Sequence, residues 1–159
     1  MSEEDRTPTA ELKKILIVED DKVALHAMAQ MVQTAGYTVI IAGDSGEAIR
    51  AFELEKPDLM LVDINLRGEN VGQPMDGLGL IDWLNYRHAD HVFKYIIVSG
   101  DDPRAHEGRA ALSGAFAFIR KPIDPHSVLA EMKKAIGDLL EADPPGSPAQ
   151  EQGQAGAPD

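Results

Sequence analysis

Residues 59–68 read LMLVDINLRG, four apolar residues in a row that stop on Asp63. An uninterrupted apolar run of that length marks a strand covered on both faces, as in the middle of a mostly parallel sheet. The pattern recurs on both sides. ILIV at 15–18 stops on Glu19, Asp20 and Asp21, and YIIV at 95–98 stops on Ser99. Two further apolar runs complete the set, Tyr37 to Ala42 and Ala115 to Ile119, the second ending two residues before Lys121.

Between these runs the apolar residues fall at helical spacing. Leu25, Met28, Ala29 and Val32 share one helix face, with Gly36 where a left-handed C-cap is wanted. Asp44 followed by Glu47 gives a capping-box start to a second helix, with Ala48, Ala51 and Phe52 on its inner side, and Pro57 breaks it. Leu78, Ile81 and Leu84 mark a third helix, and Pro103 to Leu112 reads as a short, weakly amphipathic fourth. The last helix is signalled by Asp124 at the N-cap, Pro125 at the first helical position, and a stripe of Val128, Leu129, Met132, Ile136 and Leu139. Five strand and helix units in alternation predict a parallel sheet with helices on both faces and right-handed crossovers. In such sheets ligands bind outside the carboxyl ends of the strands, where the strand order reverses.

Composition sets outer bounds. With 159 residues, 43% apolar and 26% charged, the chain can bury the core of one ordinary domain. The expected organisation is a flexible segment at 1–12, the domain at 13–141, and a disordered tail or linker start at 142–159, where Pro, Gly, Ala and Gln prevail. Absence of cysteine excludes disulfides, thiolate metal clusters and a cysteine nucleophile. No apolar run approaches the roughly 18–20 residues of a membrane span, so a cytoplasmic protein without membrane insertion is expected. A net charge of −12 weighs against direct nucleic-acid binding, which relies on Lys and Arg.

Glu19, Asp20, Asp63, Ser99 and Lys121 therefore share one edge of the predicted sheet. Each alone reads as a loop acid, a cap or a solvated side chain; their convergence carries the weight. Carboxylates 4 Å apart repel by roughly 4 kcal/mol per pair at an effective dielectric of 20, so the cluster needs a cation. Oxygen-only ligands suit magnesium, with Asp20 and Asp63 as direct ligands, Glu19 acting through water, and the backbone carbonyl of Asn65 adding a further oxygen. An aspartate carboxylate can attack phosphorus to give an acyl phosphate. Lys121 and magnesium would neutralise the transferred group, and Ser99 would donate its hydroxyl to it.

The motifs ILIVEDD at 15–21, LMLVDINLRG at 59–68, YIIVSGDD at 95–102 and FIRKPID at 118–124 resemble the response-regulator receiver domain of two-component signalling, in its chemotaxis-regulator-like form. The resemblance spans residues 13–140 and implies a flavodoxin-like, doubly wound α/β fold with a five-stranded parallel sheet of order 2-1-3-4-5. It implies Glu19 and Asp20 as the acidic pair, Asp63 as phosphoryl acceptor, Ser99 as switch hydroxyl and Lys121 as phosphate-binding lysine. Phe118 falls on the aromatic switch position, Asn65 and Asp101 fall where the family tunes phosphoryl lifetime, and Lys121–Pro122 falls on a customary cis bond. The implied function is a phosphorelay switch that catalyses only its own phosphorylation and dephosphorylation. A sensor histidine kinase or histidine phosphotransfer protein would be the donor. Readout would run through the fourth helix, fifth strand and fifth helix to a downstream protein partner, with a phosphorylation-dependent homodimer as a further expectation.

Two other function classes compete. A magnesium-dependent phosphohydrolase acting on an external substrate would want Asp-x-Asp where this chain has Asp63-Ile64-Asn65. A receiver-like module that is never phosphorylated would ordinarily lose an acidic or lysine position, and none is lost. Trp83 reads as a packing residue, His88 and His91 as solvated loop histidines rather than a metal pair, and Lys133 and Lys134 as the exposed face of the last helix. The clear departure from the family is Arg67 to Met75, RGENVGQPM, which carries about six extra residues and reads as a tolerated surface loop. Deleting Glu69 to Pro74 should leave phosphotransfer and dephosphorylation rates unchanged; a change in either would assign the loop to the site.

Overall fold

The computed structural model describes residues 13–66, 75–106, 109 and 114–137. Among these residues there are five strands, β1 (Lys14–Val18), β2 (Thr38–Ala42), β3 (Leu59–Asp63), β4 (Lys94–Ser99) and β5 (Ala117–Arg120), and four α-helices, α1 (Lys22–Thr34), α2 (Ser45–Glu55), α3 (Gly77–Arg87) and α4 (Pro125–Ile136), which follow β1, β2, β3 and β5. All four pairings are parallel and the order is β2-β1-β3-β4-β5, as the sequence reading expected.

The apolar runs lack alternation because both faces of the sheet are covered. Leu16, Val18, Met60, Val62 and Ile97 point to one side, where Ala48 and Phe52 of α2 and Leu78, Ile81 and Leu84 of α3 pack on them. Ile15, Ile17, Leu59, Leu61, Ile96 and Val98 point to the other, against Leu25, Met28 and Val32 of α1 and Val128 and Met132 of α4. Burying each such side chain contributes about 1.5–3 kcal/mol, so the two layers together dominate the stability of the fold. β2 lies at an edge of the sheet, with Ile41 exposed.

Each helix starts on an aspartate. Asp21, Asp44, Asp76 and Asp124 accept from the backbone amides of Val23, Glu47, Gly79 and Ser127, each satisfying an amide that the helix itself leaves without a partner. At α2 Glu47 Oε1 reaches back past the N-cap and accepts from Gly43 N at 2.7 Å. Gly36 follows α1 at φ 105°, the left-handed geometry its position asked for.

Three expectations shift in detail. β5 starts at Ala117 rather than Ala115, because pairing to β4 begins at Ile96↔Ala117. The expected helix at Pro103 to Leu112 is described only as a 3-10 turn, Pro103–His106, with most of the remainder outside the described residues. The expected extra loop, apart from Met75, also lies outside them, as do residues 1–12 and 138–159.

The start of α3 is the tightest joint. A Cβ built on Gly77 would lie 2.2 Å from the Asp63 carbonyl oxygen, so only glycine lets the helix begin there. Gly77→Ala should lower the unfolding free energy by about 1–3 kcal/mol, read as a drop in urea midpoint at unchanged slope. An unchanged midpoint would mean that the joint relaxes freely.

Candidate functional site

Strand register assembles the site. Val18 pairs with Val62, so Glu19 emerges beside Asp63 at the point where α1 and α3 leave for opposite faces of the sheet. Asp63 pairs with Val98 and Ser99 with Arg120, which sets Ser99 one step beyond Asp63 and Lys121 one step beyond Ser99. The Lys121 amide donates to the Ser99 carbonyl at 2.8 Å, fixing that last step.

Glu19, Asp63 and Ser99 are buried, and Asp20 is half-buried. One carboxylate oxygen from each of Glu19, Asp20 and Asp63 lies within 4.8 Å of the others. Lys121 Nζ donates to Glu19 Oε1 at 2.8 Å and to Asp63 Oδ2 at 3.4 Å. The remaining oxygens are held by the backbone: Asp21 N donates to Glu19 Oε2 at 3.1 Å, and Asn65 N to Asp63 Oδ1 at 3.1 Å. The Lys121–Pro122 bond is cis, as the resemblance implied.

The Lys121 ammonium bonds two of the three carboxylates that converge here. Burial raises the Glu19 carboxyl above its ordinary value of 4.5; the Lys121 ammonium opposes this, and the charge of Asp63 adds to it. Burial would lower Lys121, but Glu19 and Asp63 outweigh it and hold the ammonium above its ordinary 10.5. The Lys121 shift reports the negative field of the neighbouring carboxylates, whereas that of Glu19 is set first by burial. The donor set is oxygen throughout, which fits a hard divalent ion such as magnesium.

The other candidate residues fall as follows. Asn65 is exposed at the strand end and Asp101 is half-buried, with its amide donating to Ser99 Oγ at 3.0 Å. Phe118 is half-buried on the α2/α3 side of the sheet. Its partner Ile97 lies two residues before Ser99, so Phe118 and Ser99 face the same side. Gly100 is open, with nothing within 4 Å of an added Cβ.

Trp83 is half-buried against the core, as expected of a packing residue. His88 and His91 depart from their reading as solvated. Both rings rest on the buried Phe52, at centroid distances of 5.3 and 5.4 Å, with His88 Nε2 3.1 Å from Glu53 Oε2 and His91 Nε2 3.1 Å from the Pro57 carbonyl. Sequence reasoning missed this because the apolar partner comes from a different helix. It also missed Arg109, which pairs with Asp76. An isolated arginine in a polar stretch carries no local signal.

The structure thus defines a doubly wound α/β protein with an acidic, cation-ready cluster at the topological switch point. Residues 15–133 match the family described as the response regulator receiver domain, and the chain belongs to that family. The alkaline phosphatase synthesis transcriptional regulatory protein PhoP of Bacillus subtilis is 30% identical over 78% of this chain and 48% of its own length. The polar-differentiation response regulator DivK of Brucella anthropi is 27% identical over 79% of this chain and 98% of its own length. The chain therefore spans about half of the first of these relatives and nearly all of the second. Among solved structures, a CheY-like receiver domain from Methanospirillum hungatei superposes with a TM-score of 0.67 at 32% identity, covering 82% of this chain and 96% of its own. No described helix is long and apolar enough to cross a membrane.

A carboxyl whose folded pKa is raised stabilises the fold most below its unfolded value, and this contribution is lost as pH rises through the folded value. For metal-free protein, the unfolding free energy of Glu19→Gln relative to the parent should therefore climb as pH is taken upward from 4.5, the ordinary value, towards neutrality. Urea titrations in chelator at several pH values measure this. A difference that does not vary with pH would contradict the raised pKa.

Proposed function

We propose that Asp63 accepts a phosphoryl group from a phosphohistidine donor, a sensor histidine kinase or histidine phosphotransfer protein, and that the chain works as a cytoplasmic phosphorelay switch. The observation that carries this is Lys121 Nζ bridging Glu19 Oε1 and Asp63 Oδ2 beside Asp20, at the carboxyl edge of the sheet.

An Asp63 oxygen attacks phosphorus as the donor's P–N bond breaks and its electron pair returns to the imidazole nitrogen. Asn65 N–H orients the carboxylate through Oδ1. Lys121, already 3.4 Å from Oδ2, is placed to follow negative charge onto the new phosphoryl oxygens. Magnesium would be held by Asp20 and Asp63, by Glu19 through water and by the Asn65 carbonyl, and would supply charge neutralisation at the transferred group.

Ser99 Oγ accepts from Asp101 N and retains its own proton to offer a phosphoryl oxygen. Because Phe118 faces the same side of the sheet, inward movement of Ser99 leaves space that its ring can enter. That rearrangement is the proposed readout, a population shift at the face formed by the segment after Ser99, β5 and α4. A groove of about 250 Å³ lined by Phe118, Arg120, Asp124, Ser127 and Glu131 lies on that face and supports a protein partner there. Beside Lys121, an apolar groove of about 340 Å³ lies between α1 and the Pro122–Pro125 turn, where a donor protein is proposed to dock. Asn65 and Asp101 flank the acceptor and are proposed to set how long the phosphoryl group survives.

Incubation with acetyl phosphate and magnesium should add one phosphoryl group to the parent chain and none to Asp63→Asn, as read by intact mass. Equal labelling of the two proteins would overturn the assignment.

A further inference from the structure

Two described contacts of the chain after β4 reach elements of the site. At its start Asp101 N donates to Ser99 Oγ at 3.0 Å. Asp102 then forms a local turn, its Oδ1 accepting from Arg104 N at 2.9 Å and its carbonyl accepting from Ala105 N at 2.9 Å. Further along, the Arg109 guanidinium reaches Asp76, with Nη2 3.2 Å from Oδ1 and Nη1 3.4 Å from Oδ2. Each nitrogen faces one oxygen, the forked geometry that arginine offers a carboxylate.

Asp76 is no ordinary surface acid. Its Oδ1 also accepts from Gly79 N at 2.8 Å, capping α3. The next residue, Gly77, touches the Asp63 carbonyl closely enough to exclude a Cβ, and its amide donates to the Ile64 carbonyl at 2.9 Å. Arg109 therefore clasps the segment after Ser99 to the helix start that abuts Asp63. The neighbouring Arg104 makes the contrast plain, since its partner Asp102 lies two residues away and the pair ties the turn only to itself.

We propose that the Arg109–Asp76 pair is a latch that restrains residues 101–106 and opposes the phosphorylated state. The inference rests on Asp63 and Ser99 acting as proposed above. Ser99 Oγ moving towards a phosphoryl group carries the Asp101 amide with it, and the segment cannot follow freely while Arg109 is clasped to Asp76. The two side chains are 41% and 36% exposed, so the pair is partly screened and its bias is modest. Its removal should shift the ratio of the two states by roughly two- to fivefold.

The test uses the full chain as parent, Arg109→Gln, Arg109→Lys and Arg104→Gln, with two readouts. Labelling by acetyl phosphate with magnesium should run roughly two- to fivefold faster in Arg109→Gln, stay at the parental rate in Arg104→Gln, and return towards it in Arg109→Lys. Loss of a cation near the site would by itself slow an anionic donor, so acceleration is the opposite of a simple charge effect. Amide exchange at residues 101–106 in unphosphorylated Arg109→Gln should quicken relative to the parent. Equal labelling rates in parent and Arg109→Gln, or equal acceleration by Arg104→Gln, would overturn the latch. Failure of the parent to label would overturn the acceptor reading instead. The exchange measurement needs no phosphate, and unchanged exchange in Arg109→Gln would overturn the latch on its own.

Discussion

A single ammonium shared by two buried carboxylates ties the carboxyl ends of three strands together. Lys121 follows β5, Glu19 follows β1, and Asp63 ends β3, so its bonds at 2.8 and 3.4 Å span sequence separations of 102 and 58 residues. Charges this poorly hydrated persist only when paired, and leaving one of them alone would be strongly destabilising. The ammonium meets two of the three carboxylates that converge there. The fold tolerates this concentration of acids because both layers of apolar packing lie behind it, and the chemistry proposed for the site depends on the same concentration.

Much of this was legible in the sequence because the signal is blunt. An apolar run that ends on a charged residue fixes a strand, its depth of burial and the end at which chemistry sits, as at Val62 and Asp63 or Val18 and Glu19. Alternation with helices makes the sheet parallel, and parallel strands bring their ends together. The strand order followed from the family resemblance, since periodicity alone leaves several right-handed arrangements open. What stayed hidden depends on contacts between distant segments. His88 and His91 are polar residues in a loop until Phe52 is placed beneath them, and Arg109 is an isolated charge until Asp76 is opposite it. The start of β5 was misplaced by two residues because Ala115 and Phe116 are as apolar as the residues that pair; only the register with Ile96 separates them.

The four N-cap aspartates show how local and global demands coincide. Each satisfies helix amides, and all stand at the carboxyl edge of the sheet, where the chain passes from strand to helix. Asp21 does double service, capping α1 while its own amide holds Glu19 in place. Asp76 likewise caps α3 and meets Arg109. Roles shared in this way mean that substitution at either position would perturb helix stability and site geometry together, so an effect on one cannot be read without measuring the other.

Every residue of the cluster sits at or just past the end of a strand, and those ends meet only when the register of β1, β3, β4 and β5 is complete. No shorter stretch of the chain contains the site. A nascent chain still lacking β5 has no Lys121 to bring to Glu19 and Asp63, and non-local pairings of this kind are among the last to be rewarded in folding. On the proposed reading, competence to receive phosphate is therefore a property of the finished sheet. On that same reading a chain without β5 would lack the lysine of the site, so the proposed switch would carry its own check on the integrity of the fold.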